Sequence, residues 1–331
     1  YTITVDGVVS YYLPDGTHTT LEDLKIDKIV EATVSVSVTP LDYDGTVADS
    51  IVADTAVKLT SANATYDTTV TAEGKLACTT FAKGTYVVEI DGFATGRLVI
   101  GDEAQAELVV YKPFATNSNK AGQSTVKEET YQTATDSVYR KVTLFSNGDG
   151  VTPIYDNRAE VKISLSATEQ TAKNITVSGK LKFTGANDHL ARAGMTMTEG
   201  WHGFVLYHAS NRIDRHPGEY KLDQTDQLGS ISYDELTAGI EFRMVRTGTT
   251  IRLYIKNANG WVLRASVSCA EDAANDIRFA GGLGTWEYTD LTVTTPTYEK
   301  IDYAAPTTSA AGNLAYYTLT NGSVTEYFTL D

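Results

Sequence analysis

Residues Gly239 to Val267 read GIEFRMVRTGTTIRLYIKNANGWVLRASV, and their alternation decides the fold class. Ile240, Phe242 and Met244 alternate with Glu241, Arg243 and Val245. Ile251, Leu253 and Ile255 alternate with Arg252, Tyr254 and Lys256, and Trp261, Leu263 and Ala265 alternate with Val262, Arg264 and Ser266. Thr247-Gly248-Thr249-Thr250 and Asn257-Ala258-Asn259-Gly260 separate the three runs as turn signals. Successive side chains of a strand point to opposite faces. The stretch therefore predicts a three-stranded antiparallel meander with one apolar face and one face carrying arginines and a tyrosine. So regular an apolar face needs a second sheet over it, and the chain is predicted to be all-β, built on a β-sandwich.

At 331 residues the chain is expected to hold two domains. A net charge of −15 argues against nucleic acid or an anionic membrane as partner, because both need a basic patch. No apolar run approaches the roughly 18 residues of a membrane helix, so no direct membrane insertion is expected. The chain reads as a soluble piece of something longer, monomeric within it. Abundant Thr, 20 Tyr, 3 Met and sparse Lys and Arg resemble bacterial secreted and surface proteins, which implies an extracellular, cell-surface location. Cys78 and Cys269 fall in different predicted domains and are expected as two free thiols.

Outward from the meander, residues 1–27 hold a hairpin signal at Asp6-Gly7, and LEDLKIDKIVEA (21–32) is the one short helix-like pattern. Short alternating runs at regular spacing then fill residues 28–112, the pattern of a small sandwich. Val57-Lys58-Leu59-Thr60, Tyr66 to Val70, Thr71 to Lys75 and above all GTYVVEIDGF (84–93) resemble the prealbumin-like module of carboxypeptidase regulatory-like domains and B-type adhesin repeats. The resemblance implies a spacer. The last strand, Ala106 to Lys112, has no Asn or Asp for the Lys–Asn crosslink of many such repeats. ATNSNKAGQSTVKEET is almost without apolar residues, so 113–137 reads as a linker.

Strands resume over 138–297. There Ala193-Gly194-Met195, Gly203 to Tyr207, Glu241 to Ile255, Phe279 to Gly282, Trp286 and Asp290 to Val293 resemble the concanavalin A-like lectin/glucanase (laminin-G-like) sandwich. That implies a larger jelly-roll domain that binds a ligand, a glycan or a host glycoprotein such as an immunoglobulin. The remaining tail, 298–331, contains YTLTNGSVTEYFTLD (317–331). This lies without gaps over YTITVDGVVSYYLPD (1–15), as the start of a tandem repeat would.

The chemistry is that of binding rather than catalysis. The resemblance to this class would imply the glucanase motif E-x-D-x-x-E, which Glu241, Glu287, Asp290, Asp234 and Glu235 do not form, so no enzyme is expected. His202 and His208 lie six positions apart, about 20 Å along one strand, too far to share a zinc ion. Oxygen-rich turns at Asp149 and Asp156, with Asp290 before the last strand, suggest a structural calcium ion. For the ligand, Trp201 with His202, and Trp286 after a Gly-rich turn, read as rim aromatics. Arg243, Arg252, Tyr254 and Arg264 are assigned to one outward face suited to acidic sugars, and Trp261 to the core. The polar loop NRIDRHPGEYKLDQTDQ is long enough to serve in binding. The reading is a lectin-like region of a bacterial adhesin, with a protein-binding module or a passive stalk as alternatives.

Overall fold

A computed structural model describes residues 2–5, 9–12, 30–117, 124–135, 137–146, 158–185, 191–208, 210–218, 222, 225–296, 316–321 and 324–329. The chain is all-β and forms two compact units, Tyr1–Thr295 and Pro296–Asp331. The first begins with the hairpin β1 (Thr2–Val5) and β2 (Val9–Tyr12).

A small sandwich follows: β3 (Glu31–Thr33), β4 (Ser35–Leu41), β5 (Ala56–Thr60), β6 (Thr65–Thr69), β7 (Thr80–Ala82), β8 (Gly84–Ile90), β9 (Gly96–Ile100) and β10 (Gln105–Tyr111). β5, β6, β8 and β9 form one sheet in the order β6-β5-β8-β9. β4 runs parallel to β10, and β3 pairs with β7. In β8, Tyr86, Val88 and Ile90 point inward and join Val36, Leu59, Phe81, Leu98 and Leu108 in a core of the sandwich's own. The last residues of the helix-like pattern, Glu31 and Ala32, belong to β3, and most of the rest lies outside the described residues.

The large sandwich contains β11 (Ala115–Asn117), β12 (Ser124–Gln132), β13 (Val138–Ser146), β14 (Arg158–Ile163), α1 (Ala167–Thr171), β15 (Asn174–Thr184), β16 (Arg192–Thr198), β17 (His202–Tyr207), β18 (Arg212–Arg215) and β19 (Gln227–Gly229). It continues with α2 (Tyr233–Ala238), β20 (Ile240–Thr247), β21 (Thr250–Asn257), β22 (Gly260–Ser268), β23 (Asn275–Gly282) and β24 (Gly284–Thr294). Two seven-stranded sheets result. The first runs β12-β13-β24-β15-β20-β21-β22 and the second β11-β14-β23-β16-β17-β18-β19. The chain passes repeatedly from one sheet to the other, as in a jelly roll. Between the sheets lies one core that includes Phe183, Met195, Phe204, Phe242, Leu253, Phe279, Trp286 and Tyr288.

Two expectations are corrected here. The predicted linker 113–137 contains β11 and β12, both strands of the large sandwich. Its polar composition concealed them: Val126 packs on the core, while the carboxylate of Glu128 accepts hydrogen bonds from the N–H groups of Phe114 (2.9 Å) and Ala115 (2.8 Å) and from the Thr130 hydroxyl (2.7 Å). Burial pushes the Glu128 carboxyl above its usual range, against the pull of those bonds. The meander is β20–β22 as predicted, but a bulge at Arg264 shifts the register between Leu253 and Tyr254. Trp261, expected in the core, therefore faces out and is 36% exposed.

The two sandwiches are joined by more than the chain. Thr95 donates its N–H to the Glu128 carbonyl (3.1 Å) and accepts from the Thr130 N–H (2.9 Å), which ties the small sandwich to β12. Arg97 lies 4.1 Å over the Tyr131 ring, and Arg140 donates to the Tyr43 carbonyl while covering Phe114. The free thiols Cys78 and Cys269 sit one in each sandwich.

The second unit is described as one hairpin, β25 (Tyr316–Asn321) and β26 (Val324–Thr329). Both sequence-matched termini thus contain hairpins. Val5 pairs with Val9 but Asn321 with Val324, so the pairings differ by one residue.

Candidate functional site

The sites read from the sequence do not come together. Trp286, expected on the rim, is fully buried. Its indole lies against Phe183 (centroids 4.5 Å) and donates Nε1–H to the Gly282 carbonyl (3.1 Å). A Cβ on Gly281 would stand 2.5 Å from its Cδ1, so this member of the glycine run that suggested a loop makes room for the ring. Arg264 also leaves the expected face, because the bulge turns it toward the Ser230 carbonyl and Glu235. Arg243, Arg252 and Tyr254 do share the outward face of the first sheet, with Arg243 directly across from Tyr254. Trp201 and His202 belong to the other sheet.

Of the proposed calcium ligands, Asp149 and Asp156 lie outside the described residues. Asp290 lies within β24 rather than before it, at φ 53°, and its carboxylate is 2.8 Å from the Lys180 ammonium. A lysine at that distance does not suit a divalent cation, so Asp290 does not fit a calcium site. His202 and His208 stand at opposite ends of β17. The first hydrogen-bonds Thr198 (2.9 Å), and the second packs its ring between Phe183 and Tyr233.

The feature that sequence reading missed is the outer face of the second sheet. Pairing across β14, β23, β16, β17 and β18 sets three rows: Arg158, Gly282, Arg192, Tyr207 and Arg212; Glu160, Ala280, Gly194, Val205 and Asp214; and Lys162, Arg278, Thr196 and Gly203. Arg158 and Glu160 are only 4% and 1% exposed and 2.9 Å apart. Arg278 reaches Glu160 (3.2 Å) and holds Asp276 through two hydrogen bonds (3.1 and 3.0 Å), and Lys162 meets the same Asp276 at 3.3 Å. Among the described outward residues of β14, β16 and β23, four are cations (Arg158, Lys162, Arg192, Arg278) and two are acids (Glu160, Asp276).

The middle row is small at its centre, and His216 and Leu222 settle into that trough. A Cβ on Gly194 would stand 2.7 Å from Leu222 Cδ2 and 3.3 Å from His216 Nε2, so only glycine lets both side chains lie there. Arg192 and the Tyr207 hydroxyl (3.3 Å) both donate to the Leu222 carbonyl. His216 Nδ1 accepts the Gly218 N–H (3.3 Å), which fits a neutral ring. Next to it Trp201 is held at φ 64° in the turn after Gly200. Its half-buried indole stacks on His216 (5.7 Å, 23°) from one direction and receives the Arg278 guanidinium at 4.5 Å from another. Trp201, His202, Arg215, His216, Thr225 and Ser268 line a cleft of about 280 Å³.

Burial, reinforced by the charge of Arg158, pushes the His216 imidazole down to about 3 from an ordinary 6.5. The unfolded chain takes up this proton near pH 6.5, while the folded one resists until about pH 3. The associated stability is present above pH 6.5 and is lost as pH falls, by about 1.4 kcal/mol per unit at most. Thermal melts from pH 7 to 4 are expected to show this loss, and His216→Gln is expected to flatten it. Parallel profiles for the two proteins would remove His216 as its source.

No protein-family model matches the chain, and no curated protein matches it in sequence. Several solved structures have a similar architecture. The VIP36 exoplasmic/lumenal domain in its Ca2+/Man3GlcNAc-bound form is 9% identical, over 57% of this chain and 91% of that one, with a TM-score of 0.36. Peanut lectin in complex with a nonapeptide is 9% identical over 55% and 98%, with a TM-score of 0.30. An alginate lyase of Polysaccharide Lyase family 7 is 15% identical over 51% and 82%, with a TM-score of 0.31. None of these likenesses assigns a role to a residue of this chain.

Proposed function

We propose that the large sandwich is a non-catalytic carbohydrate-binding module of a bacterial cell-surface adhesin, and that the small sandwich is its prealbumin-like spacer. The observation that carries the reading is the Trp201 platform. A half-buried aromatic ring, covered in part by His216 and Arg278, borders a cleft whose other walls offer Thr225, Ser268, Arg215 and His202. Sugars stack their C–H faces on such rings while polar side chains take their hydroxyls. The absence of catalysis is argued from the acids that a glycosidase would need. Glu241, Glu287 and Asp290 are each paired with a lysine (Lys256, Lys141 and Lys180), and Glu235 caps α2 and pairs with Arg264.

A glycan array probed with the full chain tests this reading. Trp201→Ala is expected to weaken binding to the best glycan by roughly 1–3 kcal/mol, the scale of aromatic stacking on a planar ligand, with an unchanged circular dichroism spectrum. An array without a hit, or a Trp201→Ala protein that binds as well as the parent, would reject the reading.

A further inference from the structure

The two edges of the first sheet are treated differently. At β12 the edge is already extended by backbone from the small sandwich, through the paired hydrogen bonds of Thr95. At the other edge stands β22. Asn257 and Gly260 close the β21–β22 hairpin, and hydrogen-bonded and open pairs alternate from there. Ile255–Val262 is the next bonded pair. Trp261 and Leu263, opposite Lys256 and Tyr254, turn their N–H and C=O groups away from β21, and among the described residues nothing meets them. The bulge at Arg264 ends this open stretch, and beyond it β19 packs so closely that a Cβ on Gly229 would stand 2.1 Å from the Arg264 carbonyl.

The side chains here are as open as the backbone. Trp261, Val262 and Leu263 are 36%, 37% and 51% exposed, an apolar run on an edge, where proteins ordinarily place charge or proline. Charge beside it is one-sided. In the meander Glu241 pairs with Lys256, Arg264 with Glu235, and Arg246 is held by the Gly248 and Ala273 carbonyls and by Asn275. Arg243 and Arg252 have no carboxylate partner among the described residues, and the Arg243 guanidinium lies 4.4 Å over the Trp261 ring.

We propose that this edge docks an extended, acidic peptide segment of another protein, which adds to β22 as a further strand. Its main chain pairs with the open groups of Trp261 and Leu263, its apolar side chains rest on those two residues, and a carboxylate meets Arg243. A saccharide would use the indole and the arginines but leave the backbone groups and Leu263 without a role. A second copy of the chain would set like charges against one another.

The test is selection of a random dodecapeptide phage library on the full chain, followed by fluorescence anisotropy with the enriched peptide made synthetically. Enrichment of peptides with apolar and acidic residues two positions apart, on one face of the added strand, is expected. Arg243→Glu is expected to weaken binding about tenfold, as is Leu263→Pro, which removes an N–H that the ladder does not use. Methylating the alternate peptide amides that face β22 should have the same effect, whereas methylating the intervening ones should not, a readout independent of how any variant folds. Trp201→Ala should leave peptide affinity intact, so this site and the glycan seat succeed or fail separately. The proposal is overturned if no peptide is enriched, if the enriched peptides are basic or neutral, or if both methylated series bind alike. It is also overturned if oligogalacturonate displaces the peptide and is itself lost in Arg243→Glu, which would make the edge a saccharide site.

Discussion

Trp286→Ala is expected to destabilise the large sandwich by about 3–5 kcal/mol, measured as the shift in urea unfolding. The indole is fully buried, fills the space above Gly281, stacks near Phe183 and holds the Gly282 carbonyl through Nε1. Alanine removes all of this from the middle of the core. The neighbours cannot collapse into the void easily, because Trp286 pairs across both β13 and β15 and is fixed at the centre of its sheet. Phenylalanine at the same position should recover part of the loss but leave the Gly282 carbonyl without its donor. A change below about 1 kcal/mol would mean that the ring is dispensable to the core.

The second large effect is expected at Glu160. Its carboxylate is 1% exposed and is shared by Arg158, itself buried, and Arg278. Glu160→Ala leaves two guanidinium groups close together with the central negative charge gone, and a loss of about 3–5 kcal/mol is expected. Raising the salt concentration should recover little of it, because buried charges are poorly screened. If the loss is small and salt abolishes it, the network is open to water and the second sheet's outer face is less closed than its geometry indicates.

How much of this was legible in the sequence depends on how many faces of a strand are wet. The meander could be read because its strands bury one face, so that hydrophobicity alternates. β16 is buried on both faces, yet RAGMTMT alternates like a strand with one wet face, so nothing in it shows that Arg192, Gly194 and Thr196 are covered. The charge network joins Glu160 to Arg278 across 118 residues, and His216 and Leu222 come onto Gly194 from outside its strand, neither of which leaves a local signal. Trp286 was misplaced because a glycine that makes room for a ring looks like a glycine that makes a loop. β12 was missed because Glu128 is satisfied by backbone N–H groups, a use of a carboxylate that composition cannot show. Glu-Gly-Trp-His at a strand boundary is a turn signal, and Trp201 does lie in that turn; its neighbours there, Arg278 and His216, left no local signal.

The junction between the sandwiches has a mechanical consequence. A single covalent crossing at Pro113 would act as a swivel. Here the carboxylate of Glu128 clamps the peptide groups of Phe114 and Ala115 immediately after the crossing, and Thr95 is laced to the strand that carries Glu128. The covalent crossing and the Thr95 bonds make two attachments between the sandwiches, and two resist rotation better than one. A pull applied to the small sandwich would therefore reach the large one as torque on β12 rather than being dissipated in a slack tether. The pair would behave as one stiff lever, with the platform of Trp201 carried at a fixed angle to it.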